Sequence, residues 1–147
     1  MKMQLKLMLL LFGVTFISLM GCKKDEAHSA SITGYYTSVT PVKGGLYNTG
    51  YFTTSGGLKA TGNAEMNVNF SGTDSANCTA SFTAPEGSFT MSMHCSTVNN
   101  TGHWNITSGT GRYAELRGDG PLTMLFPPNT PTGVLGIEAM TGEVWMH

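Results

Sequence analysis

Leu58-Lys59-Ala60-Thr61-Gly62-Asn63-Ala64-Glu65-Met66-Asn67-Val68-Asn69-Phe70 is the stretch that decides the fold. Leu58, Ala60, Gly62, Ala64, Met66, Val68 and Phe70 fall on one face, and Lys59, Thr61, Asn63, Glu65, Asn67 and Asn69 on the other. Unbroken period-two alternation of this kind is a strand with one face buried and one in water. A strand of that length spans about 43 Å at about 3.3 Å per residue, more than a small domain uses flat, so a bend is predicted at Gly62. Long strands bent at glycine are a barrel device.

A hairpin lies next along the chain. Cys78, Ala80, Phe82 and Ala84 alternate with polar residues, Pro85-Glu86-Gly87-Ser88 reads as a turn, and Phe89, Met91, Met93 and Cys95 alternate again. A turn centred between Glu86 and Gly87 sets Ala84 opposite Phe89 and Cys78 opposite Cys95. Directly opposed residues have Cα atoms about 4.5 to 5.5 Å apart, within the range a disulfide accepts. A structural Cys78–Cys95 disulfide is therefore expected, worth about 3 kcal/mol through loop closure. Further strands are read at 31–39, 45–53, 102–107, 113–125 and 134–146, separated by Gly/Asn/Pro turns. The fold class is all-β: a single antiparallel eight-stranded closed barrel, with a β-sandwich as the alternative. Charged residues make up only 12% of the chain, and no 3.6-residue apolar period argues for a helix.

The amino terminus reads differently. Met1–Lys6 holds two lysines and no acid, and Leu7–Met20 is an apolar run too short to span a bilayer, which needs about 20 residues. Leu19-Met20-Gly21-Cys22 resembles a bacterial lipobox. The resemblance implies a lipoprotein signal peptide over 1–21 and lipidation at Cys22; the polar residues that follow suit a tether over 22–31, and the strands make a β-barrel domain over 32–147. By the same likeness, Lys23 after the cysteine points to the outer membrane, and Asp25-Glu26 looks like a surface-export tag. The membrane, reached through this N-terminal anchor, is thus one expected partner. Without residues 1–21, which hold two of the eight Lys and Arg, the formal charge moves from −1 to −3. Nucleic acid is excluded as a partner on that balance, since phosphate binding requires clustered cations.

From Gly102 to Gly120 the chain reads Gly-His-Trp-Asn-Ile-Thr-Ser-Gly-Thr-Gly-Arg-Tyr-Ala-Glu-Leu-Arg-Gly-Asp-Gly. This segment resembles the allene oxide cyclase-like and dirigent-like barrels, with their Gly-Thr-Gly turn, its basic and aromatic neighbours, and a glycine kink into the next strand. The resemblance implies an eight-stranded closed barrel. The acid, cysteine and asparagine positions of the plant enzymes find no counterpart that can be matched in sequence, so no catalytic residue is assigned.

The candidate sites are few. Arg112, Tyr113, Glu115, Arg117 and Asp119 form the densest charged cluster and are expected to rim the barrel mouth, where they would orient an entering ligand; the bland alternative is exposed ion pairs worth little. Met91-Ser92-Met93-His94-Cys95 has the soft donors of a copper(I) site, but alternation splits His94 from the others, which favours core packing. His94 and His103 face outward on strands that should pair, yet offer two ligands where structural zinc takes four, so no metal and no cofactor is expected. Tyr35, Tyr36, Tyr47, Tyr51 and Phe52 are assigned to covering the core. No Gly-x-Ser-x-Gly or His-Glu-x-x-His motif occurs.

Three functions fit: a non-enzymatic lipid-anchored barrel holding a small apolar ligand or a protein partner, an isomerase or cyclase of the allene oxide cyclase-like superfamily, or a structural envelope protein with a packed barrel. Met66, Phe82, Met91 and Met93 discriminate. If they fill the interior, both pocket functions fail; if they line a void holding a buried acid or arginine, the enzyme gains.

Overall fold

The computed structural model describes residues 26–147, so the expected signal peptide, Cys22 and the first part of the expected tether lie outside the described residues. Eight strands follow in order: β1 His28–Val42, β2 Gly45–Gly56, β3 Thr61–Ser71, β4 Ser75–Ala84, β5 Gly87–Ser96, β6 Thr101–Gly109, β7 Leu116–Leu125 and β8 Gly136–Met146. Each pairs antiparallel with the next, and β1 pairs with β8, closing the barrel. No sandwich forms. The barrel begins at His28, so residues 28–31 belong to β1 and not to the tether.

The face alternation that dictates β3 is realised from Thr61 onward: Ala64, Met66 and Val68 are buried, while Asn63, Glu65, Asn67 and Asn69 are exposed. The expected bend at Gly62 is not needed, because Leu58–Ala60 turn back as part of the β2–β3 connection. There Thr54 Oγ1 donates to the Leu58 carbonyl at 2.8 Å and accepts the Ala60 amide at 2.7 Å. Polar residues cover the outside, the reverse of a lipid-facing barrel, whose outer band is apolar.

The β4–β5 turn is tighter than the sequence suggests. Ala84 pairs with Gly87 across Pro85-Glu86, which puts Phe82 opposite Phe89 and Cys78 opposite Met93. The register is thus displaced by two residues. A displacement of two preserves the face, so both cysteines remain inside, as diagonal neighbours. Their sulfurs lie 4.0 Å apart and are not bonded. The direct Cys78/Cys95 opposition is corrected accordingly: the two-residue turn draws the partner strand along by one pair.

The two ends of the barrel differ. One carries the β2–β3, β4–β5 and β6–β7 connections, and it is plugged by rings. Phe52 meets Phe82 edge-on at 5.1 Å, Phe82 stacks on Phe89 at 5.2 Å, and Phe89 meets Tyr113 edge-on at 5.5 Å. Such pairs add about 0.5 to 1.5 kcal/mol each beyond the area they bury. The short 3-10 turn Gly111–Tyr113 drops Tyr113 into this plug, and Gly111, at φ 57°, supplies the backbone conformation that lets it do so. Trp104 is fully buried, and its Nε1 donates to the carbonyls of Pro121 at 3.0 Å and Thr141 at 3.1 Å, tying β6 to β7 and β8. The opposite end is where the β1–β2, β3–β4 and β5–β6 turns and the 126–135 loop gather.

Candidate functional site

That opposite end is open. A cavity of about 420 Å³ runs from it into the barrel, down to Tyr36, Asn48, Cys78, Cys95 and Glu138. Pockets for small molecules are typically about 300 to 1,000 Å³ and mostly apolar. Its walls are Leu46, Met66, Val68, Ala76 and Met124, and its lip is Val39, Phe70, Phe126 and Leu135. All four lip residues are exposed, Phe70 by 50%, so the entrance is an apolar collar. A bulge in β1 between Tyr36 and Ser38 lets both Tyr36 and Val39 turn inward.

Glu138 is the site's most unusual residue. It sits on the inner face of β8 between Gly136 and Met140 and is 2% exposed. Tyr36 Oη donates to its Oε2 at 3.0 Å. Its Oε1 meets no donor, and neither does the buried Oδ1 of Asn48. Glu138 pairs with Gly34 on β1, and a Cβ at Gly34 would lie 3.1 Å from the Tyr36 hydroxyl, so the missing side chain gives the phenol its berth above the carboxyl. Burial pushes the Glu138 carboxyl up to about 7, against the Tyr36 hydrogen bond, which pulls it down. Burial, and then the Glu138 charge, drive the Tyr36 phenol well above its usual range. The hydrogen bond between the thiols, and then burial, push Cys78 up. Glu138's charge is felt at both cysteines, so acid, phenol and thiols form one cluster at the cavity floor.

The charged cluster singled out from sequence is elsewhere. Arg112, Tyr113, Glu115, Arg117 and Asp119 belong to the plugged end, and none lines the cavity. Arg112 pairs with Glu86 at 3.0 Å in the open. Tyr113 is buried in the plug and reaches Glu86 Oε2 at 3.4 Å. Arg117 donates to the Leu116 carbonyl at 2.8 Å, and Asp119 and Glu115 face solvent. The expectation of a mouth rim is corrected: the β6–β7 connection lies at the end opposite the mouth, because β7 runs from the plug toward it.

Other assignments divide. Met91, Met93 and Cys95 are buried while His94 points outward, directly opposite His103, with its Nδ1 2.9 Å from Asn77 Oδ1. Among the described residues no group of three or more His, Cys, Asp or Glu is placed to hold a metal. Of the five aromatic residues expected to cover the core, Tyr36 and Phe52 do so, but Tyr35 and Tyr51 stack on each other outside at 4.8 Å. Phe82, Met91 and Met93 are packed, whereas Met66 lines the void, so the interior is only partly filled.

Comparison with models of known protein families, with curated proteins and with solved structures finds no match. The fold and the cavity therefore carry the functional argument.

Proposed function

We propose that the protein is a lipid-anchored envelope barrel that holds a small, mostly apolar ligand in the part of its interior left open above the aromatic plug. The cavity of about 420 Å³ with its exposed apolar collar is the observation that carries this reading. It disfavours a purely structural barrel, since a void of that size forfeits packing that the rest of the same barrel achieves. Native mass spectrometry of the purified protein after exposure to cell extract tests it. The expected result is an added mass of a few hundred daltons, lost on denaturation and absent from Ala76→Phe, which fills the cavity from its wall. A bare mass in both proteins overturns it.

Glu138 favours a second reading, an isomerase or cyclase of the kind the Gly102–Gly120 resemblance implies. An acid held near neutrality inside apolar walls is suited to proton transfer on a bound substrate. Glu138→Gln that keeps the ligand and loses turnover would select this reading; unchanged processing would remove it.

A further inference from the structure

The polar groups of the cavity are unbalanced in a way that selects the ligand's own polar end. Among the lining residues there is no Lys, Arg or His, so nothing there neutralises an anion. Two buried oxygens, Glu138 Oε1 and Asn48 Oδ1, are acceptors with no donor. A buried acceptor left unpaired costs about 1 to 3 kcal/mol, and a buried carboxylate without a counter-charge costs more. The one donor that reaches Glu138, the Tyr36 hydroxyl, is already committed to Oε2.

Resting on the reading of this cavity as a ligand site, we infer that its occupant is a cationic amphiphile, an apolar body ending in an amine, whose ammonium is received by Glu138 Oε1 with Asn48 Oδ1 as a second acceptor on the wall. An ammonium supplies donors and the missing positive charge together, and its stem suits the walls of Leu46, Val68 and Met124. A hydroxyl end supplies one donor and no charge. A carboxylate end sets a second anion beside Glu138 in a space without cations, so it enters only with protons attached.

The raised Glu138 carboxyl agrees with this, because an approaching ammonium displaces its proton. Tyr36 from β1, Cys78 from β4 and Cys95 from β5 are the titratable groups facing it, and none is cationic. Amine affinity therefore rises as pH is raised through about 7, where Glu138 ionises.

Isothermal titration of the purified protein with decylamine, decanol and decanoate, which share one tail, tests the inference. The wild-type protein is expected to bind decylamine most tightly and decanoate least. Glu138→Gln is expected to weaken decylamine by at least about tenfold, to change decanol by less than about threefold and to improve decanoate. Decanoate binding as well as decylamine, or decylamine indifferent to Glu138→Gln, overturns the ammonium assignment while leaving the cavity a ligand site. If none of the three binds and Ala76→Phe changes nothing, the ligand site itself is overturned and the assignment falls with it.

Discussion

Replacing Glu138 by Gln should flatten the pH dependence of stability, and the size of the effect follows from burial, partly offset by the Tyr36 hydrogen bond. Glu138 is 2% exposed, and its carboxyl is raised from 4.5 to about 7 by desolvation. In the folded barrel it stays protonated where the unfolded chain has already ionised, so unfolding between those values releases a proton. Raising pH therefore favours unfolding. The contribution is fully present below about 4.5, is lost progressively as pH rises toward about 7, and is constant above that. Each unit is worth about 1.36 kcal/mol, so wild type forfeits about 3 kcal/mol across the window that a neutral amide keeps. For a domain of this size that is about 12 °C in Tm, at about 4 °C per kcal/mol. Tyr36 and Cys78 face Glu138 and are both pushed up, so they remain protonated throughout. Thermal unfolding of the two proteins, followed by calorimetry in steps across the window, gives a difference curve from which the titrating groups that do not face Glu138 cancel. Glu138→Gln should match wild type at the acid end and exceed it progressively toward neutrality. Parallel curves would mean that the carboxyl is hydrated or charge-paired, and the description of an isolated buried acid would be wrong.

Tyr36→Phe removes the hydrogen bond that holds the Glu138 carboxyl down, so the upper end of that pH window should move above about 7. It should also cost about 1 kcal/mol, read from denaturant melts; an unmoved window would show that the phenol does not set the acid's ionisation. Cys78 and Cys95 sit 4.0 Å apart, and an oxidising compartment should join them. Intact mass should then be lower by two hydrogens and Cys78→Ala should lose about 2 to 5 kcal/mol. Two free thiols per unfolded chain, in protein prepared from such a compartment, would refute the bridge.

The architecture was legible because barrels write themselves in period two. Alternation places β3, β4 and β5 and assigns their faces, while the other five strands are read only as segments between Gly/Asn/Pro turns, and all eight form. What failed was what alternation does not encode. The register of β4 against β5 depends on whether Pro85-Glu86 closes a two-residue turn, and the interior pattern of Phe and Met tolerates either choice. The site was missed for a related reason. Arg112, Glu115, Arg117 and Asp119 drew attention by charge density, yet density is a surface property, and these residues are solvated at the plugged end. The informative acid was single. Gly136, Glu138, Met140, Gly142 and Val144 share one face of β8, and the burial of Met140 and Val144 takes Glu138 inside with them. An acid in phase with a strand's apolar face was the available signal. Asn48, in phase with Leu46 and Phe52 on β2, was a second.

The polarity of the barrel also bears on where a ligand comes from. β1 enters at the plugged end, and residues 22–27 between Cys22 and that strand reach at most about 20 Å, at about 3.5 Å each. Strands of about ten residues tilted by about 40° make a barrel roughly 25 Å tall, so the proposed lipid on Cys22 would keep the plug near the bilayer and the apolar collar away from it. On the proposed anchor, an amphiphile must leave its membrane to reach the cavity, as cargo arriving through water or handed over by another protein would. Fluorophores on Ala114→Cys, at the plugged end, and on Val98→Cys, exposed by 74% at the open end, report this directly in vesicles carrying quencher-labelled lipid. The label at 114 should be quenched and the one at 98 spared. Stronger quenching at 98 would mean that the collar lies on the bilayer, and that the cavity draws its ligand straight from the leaflet.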